Sequence, residues 1–347
     1  MGKNIFKIAG VYVAMIVGAG FASGQELMQF FLKYGLWGFL GLAISSFLIF
    51  LVGYAVLDIS ITNNFNSQSD FLRGLTGDKA SLIIETLIGF MFFVFYATMV
   101  SAAGAAFSQA FNFDFTLVVI VFSVLCFVSL FFGIEAVVKI NSSLAPFMVI
   151  GGVLTGLYII IFEAKGVFSP GLLTAAKYNW LTSSIAYAAY NIVTAISVLV
   201  SVKNIAGNRK TAKRATMLSG ACLYLFGSTF LLGLYLNRAF AVNFEVPILA
   251  ILHKHGDIFE YVYLIILLMA IFTTAVGNGF AFIDFLSSHT KLNKLAKEII
   301  LIVLGIVFAH IGFSTLVAKA YPVFAFVGFF EIAIILYRFF KNRAKKY

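Results

Sequence analysis

The sequence predicts an all-α, polytopic membrane protein, and three observations predict it. Of its 347 residues, 62% are hydrophobic and 11% charged, where a soluble chain carries about a quarter charged residues. The mean hydropathy is +1.02. Apolar runs continue for about 20 residues, the length at which a helix crosses a bilayer, without the alternation of a barrel strand. Only four prolines interrupt them, which suits long helices.

Ten spans follow in order, at roughly 4–33, 36–62, 80–111, 115–134, 140–163, 180–203, 212–240, 257–288, 294–312 and 314–341. Each is an apolar run closed by polar or basic residues. The longer connections are 63–79, 164–179, 204–211 and 241–256, so the chain reads as one membrane domain over 1–347 with no separate soluble unit. Lys3, Lys7, an apolar run and "GAGFASG" share the outline of a secretory signal. Helical pattern resumes at once in "ELMQFFLKYG", which reads instead as a retained first helix.

The formal charge of +10 reads as the positive-inside bias of a cell-membrane protein rather than as a nucleic-acid surface. With the N-terminus inside, Lys3, Lys7, Arg73, Lys79, Lys139, Lys203, Arg209, Lys210, Lys213, Arg214, Lys291, Lys294, Lys297, Arg338, Lys341, Arg343, Lys345 and Lys346 fall on the cytoplasmic side. Lys33, Lys165, Lys177, Arg238, Lys254 and Lys319 fall outside. The asymmetry supports an even span count with both termini cytoplasmic, and the lipid bilayer as the main partner. Cys126 and Cys222 sit in apolar runs and read as small buried hydrophobes.

Ten spans divide into five and five, approximately 4–163 and 180–341, and an odd number per half sets the halves in opposite orientation. Span 1 carries "VGAGFASGQE", in which Gly18, Gly20 and Gly24 precede Gln25 and Glu26. Span 6 carries "SSIAYAAYNIVTAI", with small residues among Tyr187, Tyr190, Asn191 and Thr194. Glycines in a membrane helix serve either close packing or an opening of the backbone. The polar residues after the glycines and the matching feature in span 6 favour the opening, with helices 1 and 6 both broken. Such paired interruptions are the sequence pointer to a transporter's binding site. A broken helix offers carbonyls to a cation and N–H groups to an anion. Span 8 contains "MAIFTTAVGNGF", whose Thr273 and Thr274 hydroxyls either bond back to their own helix or supply hard oxygens to a sodium ion.

On these residues the chain resembles the LeuT-fold transporters of the amino acid–polyamine–organocation superfamily. "VGAGF" is similar to their small-residue break, and "IAYAAYN" to the permease pattern F-A-Y-x-G-F-D, with Ala189, Tyr190 and Asn191 replacing glycine, phenylalanine and aspartate. "YVAMIVGAGFASGQELMQFF" resembles the YkvI-like bacterial membrane family. The resemblance implies sodium-coupled symport of a small zwitterionic solute, an amino acid foremost, by alternating access. It implies a sodium site at the carbonyls of Ala14, Val17 and Ala270 and the hydroxyls of Thr273 and Thr274. It places the substrate against Gly18, Ala19 and Gly20 in span 1 and Ala186, Tyr187, Ala189, Tyr190 and Asn191 in span 6, under a lid from Tyr96. Met15 stands where a second sodium site would take asparagine, so one sodium and no other cofactor is expected. Span 5, "NSSLAPFMVIGGVLTGLYII", holds no lysine inside, which favours sodium over proton coupling.

Glu26 is a candidate coupling or gating carboxylate, since intramembrane acids are functional by default. Asp58, Glu85, Asp284 and Glu331 lie nearer span ends, where water or basic neighbours would satisfy them. His253 and His255 fall in an outer loop and by spacing alone make poor metal ligands. An enzyme is not expected: there is no HExxH, "GFASGQ" is not the G-x-S-G of rhomboid-type proteases, and no histidine within a span offers a base. The alternatives are a proton-coupled or uncoupled carrier of another small organic solute, or a membrane receptor that binds without moving its ligand.

Overall fold

Hydrocarbon offers no water to backbone polar groups, so a chain this apolar must satisfy them within its own segments. Accordingly, every regular element among the described residues is a helix. The computed structural model describes residues 2–131, 134–163 and 179–344, without the side chains of 134–143 and 145. Lys165 and Lys177, the Lys139 side chain, and Lys345 and Lys346 lie outside the described residues.

The first span is three pieces: α1 (Gly2–Ile16), α2 (Ala19–Ser23) and α3 (Gln25–Phe30). Then come α4 (Leu36–Asn63), a short α5 (Gln68–Thr76), α6 (Asp78–Phe111), α7 (Phe115–Phe131) and α8 (Ile134–Glu163). The second half holds α9 (Trp180–Ser201), α10 (Lys203–Ala206), α11 (Arg209–Leu236), α12 (Arg238–Ala241) and α13 (Pro247–His253). It closes with α14 (Asp257–His289), α15 (Lys294–Ala309) and α16 (Phe313–Ala344). The connections expected at 63–79 and 241–256 thus contain the helices α5 and α13. Ser67, Asn208 and Asn293 start α5, α11 and α15 by accepting from the backbone N–H groups of Asp70, Thr211 and Ala296. Asn64 and Asn112 end α4 and α6 in the left-handed region, with φ of 57° and 55°.

Among the described residues, six helices, α4, α6, α9, α11, α14 and α16, are long and apolar enough to cross a membrane. Large apolar side chains such as Phe90, Leu117, Leu125, Leu154, Val303 and Phe330 remain exposed around the bundle, where lipid replaces water as their solvent. Trp37 and Trp180 stack with ring centroids 5.4 Å apart at one end, in keeping with an interfacial belt. The molecule is a membrane protein.

Inside the bundle, α6 packs on α14, α4 on α9 and α11, and α16 on α9. Small residues permit these approaches. The backbone of Ala189 lies so close to Gly328 that no side chain fits between α9 and α16 there.

Basic residues tie the end that carries both termini. Arg209 pairs with buried Asp58 at 2.5 Å. Lys203 donates to Asn64 and Asn66 at 2.8 Å each. Arg343 donates to Tyr54 at 2.5 Å. The neighbours expected for Asp58 are therefore present, and Glu85 accepts from Ser69. Glu331 is different. It is 2% exposed, and neither carboxylate oxygen has a hydrogen-bond partner.

Candidate functional site

The interruption in the first span has a local cause. Gly18 is extended, with φ −91° and ψ −168°. Its N–H donates to Ile16 O at 2.9 Å instead of to the Ala14 carbonyl four residues back, which an α-helix would require. The Ala14 carbonyl is thereby released from the ladder. Six residues further, Gly24 takes φ +89°, a left-handed value that glycine adopts without strain. This second bend turns the chain between α2 and α3 and folds Glu26 back until its carboxyl group fills the space over Gly20.

The sixth helix corrects the expectation of a matching break. α9 winds without interruption from Trp180 to Ser201. Its polar side chains bond to their own helix: Asn191 Nδ2 donates to Tyr187 O and Thr194 Oγ1 to Asn191 O, each at 2.9 Å. The residues that suggested an opening instead decorate an intact backbone, and Ala186, Ala188 and Ala189 favour the helix further.

Beside the interruption lies a cavity of about 760 Å³. It runs from Glu26 past Ala14, Met15 and Gly18 to Phe6 and Lys7 at its mouth, on the end that carries both termini. Its other walls are Phe95 and Met99 of α6, Pro146 and Met148 of α8, Tyr190, Asn191 and Thr194 of α9, Thr273, Thr274 and Asn278 of α14, and Tyr321 of α16. The opposite end is shut by packing. Phe30 and Phe31 meet Tyr187 edge to face, with centroids 5.6 and 4.9 Å away. Gln25 donates to Phe244 O at 3.0 Å, and the Tyr263 hydroxyl donates to Ala22 O.

Of the expected sodium ligands, Ala14, Thr273 and Thr274 reach the cavity, while Val17 and Ala270 stand behind its wall. Thr273 Oγ1 donates to Met269 O at 2.9 Å and to Ala270 O at 3.1 Å, the back-bonding common for threonine in membrane helices. Thr274 faces Gly18, where an added methyl would sit 3.2 Å from Thr274 Oγ1. Of the expected substrate contacts, Gly18, Tyr190 and Asn191 line the cavity. Ala19, Gly20, Ala186, Tyr187 and Ala189 are buried and do not line it.

Tyr96 corrects another expectation. It packs away from the cavity, against Gly279 and Gly305, so it is no lid over that space. The residues of α6 that face the cavity are its neighbours Phe95 and Met99, four apart on one helix face. Sequence reading missed these two, and it missed Tyr321. The i, i+4 pair in α6 and the tyrosine beside Pro322 inside an apolar helix were the signals available.

Glu26 is the one carboxylate among the described cavity residues. It is 4% exposed. The Tyr187 and Tyr190 hydroxyls face its carboxyl group, yet neither hydroxyl nor Glu26 Oε2 closes a hydrogen bond.

Over almost its whole length the chain is similar to two proteins of Bacillus subtilis (strain 168). It is 26% identical to the membrane protein YkvI over 336 residues, covering 95% of this chain and 94% of YkvI. It is 27% identical to YyaD over 325 residues, covering 92% and 93%. No family-wide sequence profile matches. The fold is shared with a manganese transporter of Eremococcus coleocola, at a TM-score of 0.65 and 13% identity over 96% of this chain and 78% of that one. It is shared also with the nucleobase-cation-symport transporter Mhp1 holding bromovinylhydantoin, at 0.55 and 17% over 87% and 70%. A Na+-coupled sialic acid symporter matches at 0.55 and 14% over 93% and 75%. The YkvI-like and LeuT-fold resemblances read from the residues are both met, and these three solved structures are membrane transporters rather than enzymes.

Proposed function

We propose that the chain is a secondary transporter: a single domain over 1–347 that moves a small zwitterionic solute, an amino acid foremost, in symport with sodium by alternating access. One observation carries this reading. The first helix opens at Val17 and Gly18 on the wall of a buried cavity that reaches only one end of the bundle. A backbone opening at membrane depth is tolerated where it faces a filled or watery space, and carriers bind their solutes at such openings.

The six spans named above and four more, α1 with its continuation, α7, α8 and α15, make ten transmembrane helices in two five-helix halves, 4–163 and 180–341. The basic residues gathered at the terminal end support a plasma-membrane protein with cytoplasmic termini, and the cavity then faces the cytoplasm. The released Ala14 carbonyl and the Thr274 hydroxyl are the foremost sodium ligands. Thr273 adds a lone pair, since a hydroxyl that donates still accepts. Val17 and Ala270 complete the set through their carbonyls once the segment between α1 and α2 shifts. The solute lies against Gly18, Tyr190 and Asn191.

The test is uptake into proteoliposomes with and without a sodium gradient. Sodium-stimulated uptake that disappears in the double variant Thr273→Ala plus Thr274→Ala is the expected result. Uptake indifferent to both changes removes the sodium site. One observation favours a second reading, proton coupling: Glu26 lines the cavity without a basic partner. Uptake driven by a pH gradient in sodium-free buffer, and lost in Glu26→Gln, is the outcome that would select it.

A further inference from the structure

Several polar groups lining the cavity offer lone pairs. Asn191 commits one amide N–H to Tyr187 O, which leaves its carbonyl oxygen as an acceptor beside its second N–H. Thr194 and Thr273 commit their hydroxyl protons to carbonyls of their own helices, which leaves lone pairs. Glu26 is an acceptor with an unpartnered Oε2, and no lysine, arginine or histidine is paired with it among the described residues. Lys7, the other charged residue of the lining, stands exposed at the mouth. The closed end therefore presents several acceptors beside the Tyr190 hydroxyl, and among the described residues no basic side chain lies against Glu26.

Aromatic faces surround the same end. Phe95, Tyr190 and Tyr321 all line the cavity, with ring centroids 4.7 Å apart for Phe95 and Tyr321, 5.0 Å for Tyr190 and Tyr321 and 6.0 Å for Phe95 and Tyr190. The negative face of an aromatic ring attracts a cation, most strongly where water is excluded. A buried carboxylate without a partner is costly, and a ligand that brings a positive charge with N–H donors relieves that cost.

The geometry points to an ammonium-binding site at the closed end of the cavity, built from the Glu26 carboxylate and the faces of Phe95, Tyr190 and Tyr321. It rests on the carrier reading only for the route by which the ligand enters, and on neither coupling ion. The ligand class is a small organic molecule with a primary ammonium group, and the ammonium is the end that enters first. A divalent metal is a poorer occupant. Hard divalent cations gather about six oxygens, carboxylates foremost, and Glu26 is the one carboxylate among the described lining residues. A proton alone gives the three rings no role.

The experiment is binding to the purified full-length protein, at fixed sodium, of primary alkylammonium ions from ethyl to hexyl, matched against alkyl carboxylates and alcohols of equal length. The alkylammonium ions are expected to bind and the carboxylates not. Glu26→Gln is expected to weaken the ammonium at least tenfold. Should Glu26→Gln fail to fold, Phe95→Leu plus Tyr321→Leu, which keeps an apolar wall, is expected to weaken the ammonium while leaving alcohol binding unchanged. Carboxylates binding as well as ammonium ions, or Glu26→Gln holding ammonium affinity within twofold, overturns the site. Uptake of another solute without ammonium binding rejects this site and spares the carrier reading; ammonium binding without any solute movement does the reverse.

Discussion

The carboxyl group of Glu26 rests on the α-carbon of Gly20, so closely that a methyl group at residue 20 would occupy the same space. The two residues belong to different short helices, joined at Gly24 with its φ of +89°. The bend positions the carboxylate, and the bare α-carbon admits it.

Gly20→Ala tests that contact. Alanine favours a helix over glycine by about 1 kcal/mol, so local helix stability does not suffer. The new methyl instead pushes the carboxylate, the far end of a flexible side chain, out of place. Alkylammonium affinity is expected to fall about tenfold, the equivalent of about 1.4 kcal/mol, while the thermal midpoint stays close to that of the parent. Calorimetric titration alongside a melting curve separates the two effects.

Gly328→Ala should behave in the opposite way. Its methyl would meet the backbone of Ala189, which cannot swing aside as a side chain can. Overpacking of this kind costs about 1–3 kcal/mol, read as a lowered melting temperature in detergent. Gly10→Ala, where a methyl meets nothing within 4 Å, is the control and should melt like the parent.

The two neighbouring threonines should separate in a sodium titration of uptake. Thr274→Ala removes the hydroxyl that faces Gly18, and the sodium concentration for half-maximal uptake is expected to rise about tenfold, about 1.4 kcal/mol of lost ligation. Thr273→Ala removes a hydroxyl already bonded to its own helix and should shift it less. Equal shifts, or a larger one for Thr273→Ala, would count against Thr274 as the principal hydroxyl ligand.

At the far end, His253 Nδ1 lies 2.5 Å from Glu260 Oε2. The bond and charge of Glu260, helped by Asp257, raise the histidine above its ordinary 6.5. Since the folded value exceeds the unfolded one, the pair's contribution is complete below pH 6.5 and fades as pH rises through the folded value. His253→Gln should therefore flatten the melting temperature over that interval. The amplitude is small, because the histidine is largely exposed.

The span pattern was legible because hydrocarbon imposes one rule on every segment, and helices occupy each of the ranges expected from it. α5 and α13 were not legible: short polar-flanked helices in connections carry little of that signal. Tyr96 was assigned to the wrong side because one step along a helix turns a side chain by about 100°, and span ends uncertain by a few residues cannot fix that rotation. The sixth span was misread for a different reason. Asn191 and Thr194 in an apolar helix look alike in sequence whether they fill a gap or bond to the turn before them, and only the backbone distinguishes the two. Gly18 gave the better signal, since three glycines within seven residues are followed at once by polar Gln25 and Glu26, which close packing alone does not call for.

An intact α9 beside a jointed first span divides the mechanical labour unevenly. On the carrier reading proposed above, the fifteen residues of α1 are the lever, pivoting at Val17 and Gly18, and Trp180–Ser201 is the fixed post against which it swings. A spin label near the N-terminus should thus travel furthest between the two states of the cycle, while one halfway along that post barely moves.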